Sequence, residues 1–100
     1  MTYSPNFGID IFILTAAAAG GITHLVELCL KKGIDIDATD ENHATALIYA
    51  SESGYVEICR LLLDVGADIT IRDENDDTAL DCAKKHGHDG VVEILAESEG

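Results

Sequence analysis

The stretch richest in potential ligands is Asp73-Glu74-Asn75-Asp76-Asp77. Oxygen-bearing side chains at Asp73, Asn75 and Asp77 occupy the first, third and fifth positions of a helix–loop–helix calcium loop. The next position should then be glycine and is Thr78, and the twelfth should be glutamate and is Lys84. A solvated acidic loop tip accounts for the segment better, and no calcium is expected. Cys82 and His86 stand four residues apart on one predicted helix, with His88 close by. Zinc needs two more ligands. Cys29 and Cys59 fall on other helices, at places where the chain elsewhere uses Val or Leu, so they read as small core hydrophobes. A Cys–His nucleophile would need an orienting Asn or Asp and oxyanion donors, and none can be assigned. His24 belongs to the first turn of a helix and reads as a surface residue. Gly20-Gly21 ends a helix and belongs to no phosphate-binding or nucleophile-elbow motif. No catalytic residue, no metal site and no cofactor is expected.

Elements able to hold any other kind of site must come from composition and pattern. The chain has 100 residues, 47% hydrophobic, with 5% aromatic and a single proline, Pro5. That suits one folded domain and is too apolar for disorder. The formal net charge is −13. Such a surface is repelled by phosphate backbones and by anionic membranes, so neither nucleic acid nor membrane is an expected partner. It steers cationic protein surfaces toward itself. Three cysteines without a CxxC form no disulfide framework. The start of the chain shows no secretory pattern, and the longest apolar run, Ile11 to Ala19, is far short of a membrane span. An intracellular setting, cytoplasmic or nuclear, is expected.

Shifting the sequence by 33 residues aligns it with itself. Asp40 falls on Asp73, Thr45-Ala46-Leu47 on Thr78-Ala79-Leu80, Ala50 on Ala83 and Gly54 on Gly87. In the other direction Leu14 aligns with Leu47, Ala17 with Ala50 and Gly21 with Gly54. Landmarks in register over successive periods mark a repeat array. Each period reads as helix, tight turn, helix and extended turn. Thr45 and Thr78 are expected N-caps, and Gly54, Gly66 and Gly87 are expected helix stops. Helices are expected near 11–19, 23–32, 45–53, 56–65, 78–86 and 89–97. Two short helices cannot bury their apolar faces alone, so stacked copies must share one core. Glu93, Glu97, Ser98 and Glu99 supply polarity at the last unit, and residues 1–8 are candidates to cover the first. Gly90 stands where its period mate is Glu57; a glycine inside a helix costs about 1 kcal/mol relative to alanine, so the last helix is expected to fray most.

The segments Thr45-Ala46-Leu47-Ile48-Tyr49-Ala50, Thr78-Ala79-Leu80-Asp81-Cys82-Ala83 and Leu61-Leu62-Leu63-Asp64-Val65-Gly66-Ala67-Asp68 resemble the ankyrin-repeat family. The resemblance covers about residues 9–98. It implies an all-α solenoid of stacked helix-turn-helix units with β-turn or hairpin fingers: one domain over 1–100, with repeats near 8–39, 40–72 and 73–98. Both signatures depart from the family pattern. Ala46 and Ala79 stand for its proline, and Ile48 and Asp81 for its histidine, whose loss should loosen each unit by about one hydrogen bond, ~0.5–1.5 kcal/mol. His88 matches a family histidine lying between helices. His43 and Asp76 take the place of a finger glycine, and both types tolerate a positive φ better than most.

The resemblance implies a protein-binding module that uses a concave face of finger tips and first helices. Carried over by position, that face comprises Thr39, Glu41, Asn42, Ala44, Glu52, Ser53, Arg72, Glu74, Asn75, Asp77, Lys85 and His86. Residues 35–41 hold four acids and no base, and 64–77 hold six acids against Arg72. The expected partner is therefore a protein segment with a basic patch, bound by a monomeric adaptor or regulator. A second reading is a solenoid, excised or engineered, with no partner of its own. Irregular residues such as Phe12, Tyr49, Cys59 and Gly90 argue against an idealised design.

Overall fold

The computed structural model describes residues 7–99, with side chains described from Asp10 onward. Six helices follow in order: α1 (Phe7–Gly20), α2 (Thr23–Lys31), α3 (Ala46–Ser53), α4 (Val56–Asp64), α5 (Ala79–Lys85) and α6 (Asp89–Glu99). There is no strand among the described residues. Helices α1, α3 and α5 pack in one layer, and α2, α4 and α6 in a second. The stack measures 46 × 26 × 24 Å.

The turns that close each helix pair recur at the sequence period. Ile22 N donates to Ala17 O at 2.9 Å, Tyr55 N to Ala50 O at 3.0 Å, and His88 N to Ala83 O at 2.9 Å. Each reversal passes through a left-handed glycine: Gly21 at φ 75°, Gly54 at 82° and Gly87 at 70°. Glycine reaches that region without the steric cost a Cβ brings. Thr45 and Thr78 cap α3 and α5 as expected, with side-chain oxygens accepting from Ile48 N and Asp81 N.

The finger turns also repeat. Asp40 Oδ1 accepts from Asn42 N at 2.9 Å and Ala44 N at 3.1 Å. Asp73 Oδ1 accepts from Asn75 N at 2.9 Å and Asp77 N at 3.1 Å. His43 and Asp76 have φ of 59° and 64°, the left-handed conformation expected of them. Adjacent fingers are joined by Glu74 N donating to Asn42 O and by Asp68 N donating to Asp37 Oδ1.

The core runs along the stack. Leu14 and Leu47 are each 1% exposed. Their mate Leu80 is half-buried, because α5 lies at the end of its layer. The same end effect appears at Ala18, Ser51 and Lys84: the first two are fully buried and the lysine is exposed. Neighbouring units touch through an aromatic ring over a glycine. A Cβ on Gly21 would lie 2.8 Å from the Tyr55 ring, and one on Gly54 would lie 2.5 Å from His88 Nδ1. His88 Nε2 also hydrogen-bonds Glu52 O at 2.9 Å, which ties the third unit to the second. The interhelical role expected of His88 is realised in this contact.

Two expectations need revision, and a third lies partly outside the described residues. Helix α1 starts at Phe7, not Ile11, and Asp10 in its first turn complements the helix dipole. The loosening expected from Asp81 is offset in the third unit: Asp81 Oδ2 accepts from Thr78 N at 3.0 Å, completing a reciprocal capping box. At the matching place in the second unit Ile48 is buried at 2% exposure, so apolar packing stands in for the polar tie. The cover expected from residues 1–8 lies, for 1–6, outside the described residues, and residues 7 and 8 begin α1.

Candidate functional site

Fingers and first helices enclose a trough with two depressions. The larger, about 600 Å³, lies between α1 and the first finger, with Ile11, Phe12 and Ala16 on one wall and Thr39, Asp40 and Glu41 on the other. The smaller, about 300 Å³, lies between α3 and the second finger and includes Glu52, Asp73, Glu74 and Asn75. Asn42 and Tyr49 line both, so the two are continuous. Tyr49 Oη donates to Asp40 Oδ2 and accepts from Asn42 Nδ2, fixing the finger against α3. Burial, then the bond to Asp40, pushes the Tyr49 phenol above its usual range. In the next unit Cys82 takes that position, its thiol near Asp73 Oδ2 at 3.9 Å.

The trough brings together seven of the twelve residues read from the sequence: Thr39, Glu41, Asn42, Ala44, Glu52, Glu74 and Asn75. Ala44 is 3% exposed and packs in the core, so its side chain is not free for a partner. The other five lie off the trough. Ser53 Oγ donates to Ala19 O at 3.2 Å and so links α3 to α1. Arg72 Nη1 donates to Asp76 O at 2.8 Å and is also 3.9 Å from Asp81. Lys85 Nζ pairs with Asp77 Oδ2 at 2.6 Å, which raises the lysine above its ordinary range. His86 is the C-cap of α5 and stacks on His88, centroid to centroid 6.2 Å.

Sequence reasoning missed the apolar wall. Phe12 is 69% exposed, although its period mates Thr45 and Thr78 are the N-caps of α3 and α5. The period alignment held that signal: an aromatic stood where the other two units place a capping threonine.

Among the described residues, Asp73, Asp77 and Cys82 place ligand-type atoms within 4.8 Å of one another. Their chemistry is already engaged. Asp73 Oδ1 serves the finger turn, and Asp77 holds Lys85. Burial, followed by the charges of Asp73 and Asp77, pushes the Cys82 thiol up to about 12, so it stays protonated. Asp73 and Asp77 are thus structural rather than simply solvated, while Glu74, Asn75 and Asp76 form the exposed tip.

Helix pairs at a fixed spacing, closed by one kind of turn and sharing one core, define a helix-turn-helix solenoid. The family model for ankyrin repeats (3 copies) matches residues 14–100, and the chain belongs to that family. Ankyrin repeats generally mediate protein–protein interactions. No curated protein matches the chain. No described helix is long and apolar enough to cross a membrane.

Proposed function

We propose that the chain is an adaptor or regulator that captures a basic segment of a partner protein in the finger–helix trough. The observation that carries this reading is the lining. Asp40, Glu41, Glu52, Asp73 and Glu74 border the two depressions, and no Lys or Arg does so among the described residues. The two cations that the sequence placed on this face, Arg72 and Lys85, are held by Asp76, Asp77 and Asp81. A carboxylate trough on a chain of net charge −13 attracts and orients cationic segments, with an association rate that falls as salt rises. The family's general role supports the same reading. The repeats near 8–39, 40–72 and 73–98 act here as one binding unit, and the protein works as a monomer. The three cysteines are buried and unpaired, which suits a reducing compartment inside the cell. No catalytic step is assigned to it.

The test is affinity capture with mass spectrometry, comparing the natural chain with a triple variant, Glu41→Gln, Glu52→Gln and Glu74→Gln. All three side chains are exposed, so the variant should fold normally. Proteins with basic segments should be captured by the natural chain and lost with the variant. An unchanged set of captured proteins would rule out the trough as the binding face.

A further inference from the structure

The two depressions differ in chemistry along the stack. At the α1 end the wall is Ile11, Phe12 and Ala16, whereas across α3 and the second finger it is Glu52, Asp73, Glu74 and Asn75. Phe12 and Ala16 are exposed, and Ile11 is half-buried. An aromatic ring 69% in water is not explained by packing, since the neighbouring units cap their helices at this position with threonine. The adjoining depression, about 600 Å³, lies within the size range of pockets that hold small ligands and admits a leucine or aromatic side chain with room for its backbone.

We propose that the trough reads a composite motif. A bulky apolar side chain of the partner seats against Phe12, and Lys or Arg residues on one side of it lie along Glu41, Glu52 and Glu74. This rests on the trough being the partner site and adds the chemistry and direction of what it takes. Charge selects the occupant. A second copy of this chain would bring another −13 to an acidic surface, so self-association is disfavoured and a cationic segment is favoured. The order of the walls sets the register: the anchor lies at the first unit and the cations run toward the third. A desolvated anchor supplies affinity that salt does not screen, while the carboxylates supply steering and orientation.

The experiment pans a phage library of random dodecapeptides against the full chain. The enriched peptides, made synthetically, are then titrated by fluorescence anisotropy at low and high salt. The enriched sequences should pair an aliphatic or aromatic residue with at least two basic residues on one side. Phe12→Ser should weaken them roughly tenfold or more, as loss of an interface anchor does. Because Phe12 is largely exposed, the thermal melt of this variant should match that of the natural chain. The triple Gln variant should weaken binding at low salt and much less at high salt. If the Gln variant weakens binding but Phe12→Ser does not, the anchor is refuted while the acidic trough stands. If neither changes binding, both readings fall. Absence of any enriched peptide also refutes the composite motif. So does sedimentation showing a dimer that Phe12→Ser abolishes, because the apolar wall would then belong to a second copy.

Discussion

Substituting Gly54 by alanine tests the stacking of the units directly, because the structure separates two costs there. The first is conformational. Gly54 has φ 82°, and an L residue held in the left-handed region loses about 1–2 kcal/mol. The second is steric. The new Cβ would sit 2.5 Å from His88 Nδ1 and 2.7 Å from its Cε1, so the ring must move. Moving it breaks the bond from His88 to Glu52 O, worth ~0.5–1.5 kcal/mol, and disturbs packing at a further ~1 kcal/mol. The expected total is about 3–4 kcal/mol. Gly87 provides the control. Its φ is 70°, but a Cβ there meets nothing within 4 Å, so Gly87→Ala should cost only the conformational part, about 1–2 kcal/mol. Urea unfolding of both variants measures the difference, with the slope checked for constancy. Repeating Gly54→Ala in a His88→Ala background closes a double-mutant cycle, and there its cost should fall to that of Gly87→Ala. Equal costs for the two glycines in the natural background would refute the ring-over-glycine contact as a source of cohesion between units.

Thr78→Ala should lower stability by about 1 kcal/mol by removing the side-chain oxygen that accepts from Asp81 N, while the bond from Thr78 N to Asp81 survives; urea midpoints decide. The Asp81 carboxyl is held below its ordinary range, first by the Thr78 N–H. Its folded value lies under its unfolded one, so the stabilisation is complete above about pH 4 and is lost as pH falls through the lower folded value. The stability gap between the natural chain and Asp81→Ala should therefore shrink on acidification, and a gap that widens contradicts the cap. Burial raises the thiols of Cys29, Cys59 and Cys82. All three should react with dithionitrobenzoate at neutral pH only as the chain opens, and prompt stoichiometric reaction would contradict their burial. Amides of α6 should exchange fastest among the helices of the last two units because of Gly90, which hydrogen exchange read by NMR would check.

Much of this fold is written in the residue types. Thr45 and Thr78 announced their caps, and Gly54, Gly66 and Gly87 announced the left-handed stops. His43 and Asp76 took the positive φ that their short polar side chains tolerate. What stayed hidden depends on contacts between distant residues. The close approach at Gly90 is one case: a Cβ there would stand 3.1 Å from Val56 Cγ2, across the α4–α6 boundary. The tie from Tyr49 to Asp40 is another, since only the folded finger brings the hydroxyl to the carboxylate. The site was legible in part. Charge and position gave Glu41, Glu52 and Glu74 for the trough, whereas Arg72, Asp77 and Lys85 are engaged in ion pairs off it whose geometry no spacing encodes. Phe12 was passed over because an apolar residue in an apolar helix is ordinarily assigned to the core.

Mapping a bound partner onto the chain tests the central claim. NMR chemical-shift changes on adding a selected basic dodecapeptide should concentrate in α1 around Phe12 and Ala16, in residues 39–42, and around Glu52 and Glu74. Changes concentrated instead on the exposed faces of α2, α4 and α6, with those positions unmoved, would contradict it.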